Sequence, residues 1–380
     1  MKLTDCENCI KTIFPKMKLT RTFHSVGQGA FYTERFGEDD GKKVFNVVYD
    51  CGTSGKRASL NKEIATAFSE EGRIDKNIDL MFISHFHEDH VNGILELENK
   101  YDIHEFVIPY CLQNDKELIF CDYLHNLSFT GRLDNPANAF IESLFENTEN
   151  SNDNEHSDEN LLIKKHIVLW IDDTEIVKLP SVYEIWEYIP FCYVRKPLKT
   201  IFSELLPRYP DLKNSLTFGS FFTCVRNIFK EKGEITKLRE LYKPFYQNDN
   251  YYSMTVLSKP ICDFVADEAA CLYTGDIPLR EDSYKKEFVG KYQPYWKDIK
   301  TIQSSHHGSY KDNPLDLYND NVILDCVICY GESNRYSHPH KTTLMNIAKS
   351  NSKIHLVNED TNSTYQTVFS IEKNNLKTCI

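Results

Sequence analysis

"FISHFHEDHVNG", residues 82–93, places His85, His87, Asp89 and His90 within six consecutive positions, directly after the apolar run "NIDLMFIS". A continuous apolar run of that length reads as a buried strand, so the histidines fall where the strand ends and a helix begins. Short irregular backbone at such a turn can aim alternate side chains into one cleft. Imidazole and carboxylate are the ligands that zinc and its first-row neighbours take, and two ions about 3.5–4 Å apart require a high local density of them. The alternative is a solvated turn that happens to be rich in histidine. The buried strand leading straight into the cluster weighs against it.

Upstream, "KKVFNVVYDCG" reads as a strand ending at Asp50, and "SLNKEIATAFSEEG" carries Leu60, Ile64, Ala67 and Phe68 at helical spacing. Strand, helix, strand is an α/β order. "KLTRTFHSVGQGAFYTERF" alternates around a glycine turn, and no helix follows those glycines to make a dinucleotide fingerprint. In the last third the strands return, in "YYSMTVLSK", "AACLYTGD", "DIKTIQSSHHGS", "DCVICYG", "KIHLVN" and "STYQTVFSIEK", with a helix in "HPHKTTLMNIAKSN". Between these halves, residues 111–247 hold helical stretches ("NPANAFIESLFEN", "GSFFTCVRNIFKEKG") and a strand-like "HIVLWIDD"; this reads as an insertion elaborating one face. Its segment 146–160 is polar, acidic and aperiodic, which predicts a disordered loop.

The chain has 380 residues, 41% hydrophobic and 13% aromatic, ordinary for a globular protein. It shows neither a membrane-length apolar run nor the apolar centre of a secretory signal, so a cytoplasmic protein with no membrane contact is expected. The cysteines are scattered, which favours reduced thiols. "CENC" (Cys6, Cys9) and "CVIC" (Cys326, Cys329) have zinc spacing, but the second pair lies in a buried strand. The formal net charge of −12 argues against a surface coated for non-specific nucleic-acid binding and leaves a local basic groove open.

"SHFHEDHVNG", "VVYDCG" and "LYTGDI" together resemble the motifs of metallo-β-lactamase-fold hydrolases. "HSVGQGAFY", "NDNYYSMTVL", "SSHHGS" and "CYGESNRYSHPHKTTL" are similar, more narrowly, to the soluble hydrolase domain of ComEC-type competence proteins, over about residues 18–110 and 248–375. Ala30 stands where that family has an aspartate, and Ile94 where it has a second glycine. The resemblance implies an α/β fold of four αββα layers in one domain, the N- and C-terminal parts each supplying a sheet, with 111–247 inserted. His85 and Asp276 should then lie within about 8 Å, since ligands bond one ion at about 2 Å each.

Carried over by residue, the resemblance implies that His85 and His87 hold one divalent metal, Asp89 and His90 the other, and that Asp276 bridges them. His306 and His338 are the expected further ligands. His307 contacts the scissile group or supports the site, and Asp50 orients a ligand histidine. Zinc or manganese fits this set; if Asp249 or Asn250 also ligates, the site is richer in oxygen and favours manganese or magnesium over zinc. His24, His104, His125, His166 and His355 are isolated and read as surface or core residues. The implied chemistry is hydrolysis by a metal-bridged hydroxide, with Asp89 orienting the nucleophile and taking its proton. A nuclease or phosphodiesterase acting on DNA or RNA is the leading reading. A hydrolase of a small ester, lactone or β-lactam is the second, and a metal-binding sensor or scaffold with 111–247 as its protein-binding face the third. A nuclease predicts Asn334, Arg335 and Lys341, with Lys56 and Arg57, around the metal cleft.

Overall fold

Alternation of period two sorts the apolar residues of the N-terminal strands onto two faces. Val47, Tyr49, Leu80 and Phe82 turn into one cluster, with Trp186, Tyr188, Val256, Tyr273 and Val327. Val48, Met81, Phe106 and Ile108 turn the other way, against Leu60, Ile64, Leu124, Phe140 and Phe221. In the C-terminal half, Leu257, Leu272, Ile302 and Ile328 meet Tyr284, Phe288, Tyr292 and Ile347 in a third cluster. Three clusters separate four layers, helices, sheet, sheet, helices, which is the expected αββα sandwich.

The computed structural model describes residues 17–38, 44–70, 73–109, 116–150, 167–171, 177–178, 185–192, 199–215, 217–245, 250, 252–261, 264–265, 268–318 and 323–373. Cys6, Cys9, His166, Asp249 and residues 151–160 lie outside them. Residues 146–150 form the last turn of the helix Pro136–Asn150.

In chain order the strands are β1 (Met17–Phe23), β2 (Phe31–Glu38), β3 (Val44–Cys51), β4 (Ser69–Glu70), β5 (Arg73–Ile74), β6 (Asn77–Phe82), β7 (Asp102–Pro109), β8 (Ile167–Ile171), β9 (Val177–Lys178), β10 (Trp186–Phe191), β11 (Thr255–Pro260), β12 (Phe264–Val265), β13 (Ala270–Tyr273), β14 (Ile299–Gln303), β15 (Asp325–Cys329), β16 (Lys353–Val357) and β17 (Tyr365–Lys373). Among the described residues one large sheet runs β12-β17-β1-β2-β3-β6-β7-β8 and the other β16-β15-β14-β13-β11-β10-β9. The neighbours β3, β6, β7 and β8 are parallel, as are β13, β14, β15 and β16.

The division of sheets between the two ends of the chain differs from expectation. β17 crosses to the first sheet and pairs antiparallel with β1 from Met17↔Ile371 to Phe23↔Tyr365, giving β1 a partner on its otherwise open edge. The middle stretch also enters both sheets: β8 extends the first, and β9 with β10 extends the second. Its helices Lys116–Thr130, Pro136–Asn150 and Phe218–Phe229 cover the outer face of the first sheet.

One charged pair is locked between the sheets. Arg21 donates from Nε to Glu34 Oε1 at 2.7 Å and from Nη1 to the Ala269 carbonyl at 2.8 Å. Ser258 and the hydroxyls of Tyr188 and Tyr273 also donate to the Glu34 carboxylate. Both side chains are almost fully excluded from water, at 0% and 2% exposure. Burial alone would lower the Arg21 pKa, but its neighbours, Glu34 foremost, outweigh this and raise it, so the guanidinium stays charged.

Candidate metal centre

The histidine and aspartate cluster gathers at the carboxyl ends of parallel strands: Asp50 is the penultimate residue of β3, His85 to His90 follow β6, Asp276 follows β13, His306 and His307 follow β14, and His338 follows β15. Open α/β sheets place ligands at this edge, where strands stop and loops can converge.

Close backbone contact fixes the turn. The Ala30 N–H donates to the Asp89 carbonyl at 3.1 Å, and Gly52 and Gly93 N–H groups bond to Ala30 and Cys51 carbonyls. The Ala30 bond uses backbone alone, so the missing aspartate side chain does not remove it. A Cβ on Gly52 would sit 2.6 Å from the Asp89 carbonyl carbon and the His90 nitrogen. Gly52→Ala is therefore expected to push the Asp89–His90 backbone away, costing about 1–3 kcal/mol of stability and weakening manganese or zinc uptake about tenfold or more. Urea unfolding and metal titration of the same preparation check this; unchanged uptake would show that the turn can shift without moving its ligands.

Backbone strain concentrates at the same place. Of the six non-glycine residues with positive φ among those described, Asp50, His306, His307 and Ser337 lie in the candidate site or its loops. Each such conformation costs about 1–3 kcal/mol and persists only where surroundings enforce it.

The ligand atoms gather into two overlapping groups. His85, His90 and Asp276 offer atoms within 4.8 Å of one another, and so do Asp89, His90 and His307. His85 and Asp276 thus lie well inside the limit set above. His307 Nε2 is 3.3 Å from Asp89 Oδ2, whereas His306 Nε2 is 3.8 Å from Asp276 Oδ2 with a side chain 37% exposed. His338 is half-buried beside His306, ring centroids 5.7 Å apart.

Hydrogen bonds behind these residues fix most of the rings. Asp50 accepts from the Ser84 N–H and hydroxyl and pairs with His90 Nδ1 at 2.8 Å. Ser84 Oγ also lies 2.9 Å from His85 Nδ1. Asp312 and the Cys329 carbonyl meet His306 Nδ1 and His307 Nδ1, each at 3.0 Å. The front nitrogens of His85, His87, His90 and His307, with Asp276 Oδ1 and Asn250 Oδ1, are buried without a hydrogen-bond partner among the described residues. Buried polar atoms without partners are costly, and their convergence fits a cation that would satisfy them together.

The electrostatics divide the cluster: against burial, Asp276 and Asp50 push His90 well up, and Asp276 with Asp312 raises His306 to about 9. Burial alone would raise the Asp276 carboxyl, but His90, His306 and His307 hold it well below the usual carboxylate range. Burial would likewise raise Asp89, yet His307, 3.3 Å away, and the neighbouring His90 bring it to about 2. Burial pushes His85 and His87 well down, which leaves neutral imidazoles, the ligating form.

A cleft of about 730 Å³ opens over this floor, with Arg239, Lys243, Arg280, Lys311 and Arg335 among its walls and Phe129, Tyr310 and Tyr336 beside them. Of the expected rim only Arg335 lines it. Arg57 is bonded to Asn92, and Lys56 and Lys341 stand outside the lining. The Asn334 amide is spent on its own loop, donating to the Gly331 and His338 carbonyls and accepting from the Tyr336 and His338 N–H groups. It shapes the loop that carries His338. Sequence reading missed His125, Arg239 and Lys243, which come from the middle stretch. A histidine in an apolar helix and cations on a polar helix carry no local signal of a cleft that forms only in three dimensions.

Residues 42–123 match the model of the Metallo-beta-lactamase superfamily. No curated protein matches the sequence. Solved structures similar to it include a long form RNase Z from yeast, at 10% identity over 83% of this chain and 37% of that one, TM-score 0.38. Unliganded yeast PDE1 is similar at 11% identity over 94% of this chain and 99% of that one, TM-score 0.43. A protein of unknown function from Enterococcus faecalis V583 is similar at 13% identity over 75% and 49%, TM-score 0.33. The chain thus spans well under two thirds of the RNase Z and of the Enterococcus protein. Among the described residues no helix is long and apolar enough to cross a membrane.

Proposed function

We propose that this chain is a dinuclear metal-dependent phosphodiesterase that acts on DNA or RNA. The observation that carries the reading is the coincidence, in one cleft, of overlapping histidine and carboxylate clusters on the floor with arginines, lysines and aromatic rings on the walls. The likeness of the terminal motifs to ComEC-type hydrolase domains supports the same substrate class. One divalent ion, zinc, manganese or magnesium, would be held by His85, His87 and Asp276, and a second by Asp89, His90 and His307 with Asp276 between them; His306 and His338 close the side. Bound ions of this kind lower the pKa of water from about 15.7 toward neutrality and polarise a phosphoryl oxygen.

The chain's own residues supply the rest. Asp89, kept ionised, orients the attacking water and accepts its proton. His307, braced by the Cys329 carbonyl, keeps Asp89 in place. Arg239, Arg280 and Lys311 hold the phosphates flanking the scissile one, and the exposed rings of Tyr310 and Tyr336 offer surface on which bases stack. The middle stretch then serves the substrate as a cleft wall.

The test is cleavage and binding of single-stranded and duplex DNA and RNA by purified protein with added manganese or zinc, across a salt series. Arg239→Glu and Lys311→Glu are each expected to weaken binding and to flatten its salt dependence by about one counterion, with metal content unchanged. Lys341→Glu should change neither. Robust hydrolysis of a chromogenic lactone with no nucleic acid touched at low salt would replace this reading with a small-ester hydrolase.

A further inference from the structure

His87 differs from its neighbours in how it is held. The Nδ1 atoms of His85, His90, His306 and His307 each meet an oxygen behind them. Among the described residues no hydrogen bond reaches either ring nitrogen of His87, and its buried Nε2 is without a partner. What it has instead is a flat contact: the His125 ring lies parallel to it, centroids 4.0 Å apart and planes 6° from parallel.

That contact is braced in turn. Phe129, one helical turn after His125 and so on the same face of the helix Lys116–Thr130, lies parallel to His125 at 6.0 Å and 9°. The Tyr242 ring meets His125 edge-on at 5.3 Å. The Arg335 guanidinium stands 5.0 Å over Phe129 and 5.1 Å over Tyr336. A column of planar groups therefore runs from the cluster on the floor, across a helix of the middle stretch, to the loop that carries His338.

Resting on the metal-centre reading above, we propose that His125 is a positioning residue that sets the plane of the His87 ring by stacking, in place of the hydrogen bond that holds His85, His90, His306 and His307. The terminal torsion of histidine is soft, so an imidazole held only at its Cβ swings its lone pair over a wide arc. A parallel ring on one face removes that freedom without touching the ligating nitrogen. The middle stretch thereby becomes part of the metal centre.

The experiment is calorimetric titration of chelator-stripped full-length protein with manganese alone and with zinc alone, comparing wild type, His125→Ala, His125→Phe and the control His104→Ala. His125→Ala is expected to weaken uptake about tenfold, the loss typical of an outer partner of a ligand histidine. His125→Phe, which keeps a flat ring and discards the imidazole nitrogens, should bind close to wild type, as should His104→Ala. If circular dichroism shows that the alanine variant does not fold, His125→Gln replaces it with the same expectation. Equal affinity in wild type and the ringless variant overturns the role of His125 and leaves the metal centre standing. So does a phenylalanine variant as weak as the ringless one, because the imidazole nitrogens would then be what matters. A wild-type chain that takes up neither ion removes the metal centre itself, and this role with it.

Discussion

Asp276→Ala is expected to lower manganese or zinc affinity by at least about a hundredfold, beyond the range for an outer partner, and to take phosphodiester cleavage to background. Asp276 is the only carboxylate in the described ligand groups that faces His85 and His90 together, and it also stands near His306 and His307. Its backbone N–H is held by Ser253 Oγ at 3.0 Å, and Gln303 Oε1 accepts from the Thr274 and Gly275 N–H groups before it. The strand end that presents it is therefore rigid, and neighbouring groups cannot move in to replace a lost carboxylate. Metal titration and cleavage should fail together in this variant. Cleavage lost with metal affinity retained would place Asp276 in the chemistry alone, and retention of both would refute the bridging assignment.

Arg21→Met should destabilise the fold by about 3–5 kcal/mol, the cost of leaving a buried charge without its partner. Removing the guanidinium strands the Glu34 carboxylate between the sheets with only hydroxyl donors from Ser258, Tyr188 and Tyr273. The double variant Arg21→Met with Glu34→Gln should recover much of the loss, since no uncompensated charge remains. Urea unfolding of the single and double variants measures both. A single-variant loss below about 1 kcal/mol, the range of an exposed pair, would mean that water reaches Glu34 when the arginine is gone. Metal uptake is expected to survive in whatever fraction stays folded, because the pair lies in the core and not at the strand ends.

While the four αββα layers were implied by the resemblance of the motifs, the period of the apolar pattern and the density of histidine after β6 determined, from sequence alone, the strand elements of the first and last thirds, the α/β order and the cluster from His85 to His90. Those features are local: alternation decides which face of a strand is buried, and a strand end followed by H-x-H-x-D-H needs no distant residue to be recognised. Asp276 and the histidine pair at 306 and 307 each close an apolar strand, but their place at the site was legible only through the resemblance of "LYTGDI" and "SSHHGS" to family motifs. Tertiary structure alone decided that His307 stands closer to Asp89 than His306 does to Asp276, because two adjacent left-handed residues aim their rings in directions that no sequence pattern encodes. It also decided that β17 returns to β1, and that the cleft walls carry Arg239 and Lys243 where Lys56 and Lys341 were expected. His125 shows the reason most plainly. A half-buried histidine in a helix of the middle stretch becomes the face on which His87 rests only when that helix packs over the end of β6, and packing between segments distant in sequence is set by the summed fit of all the layers.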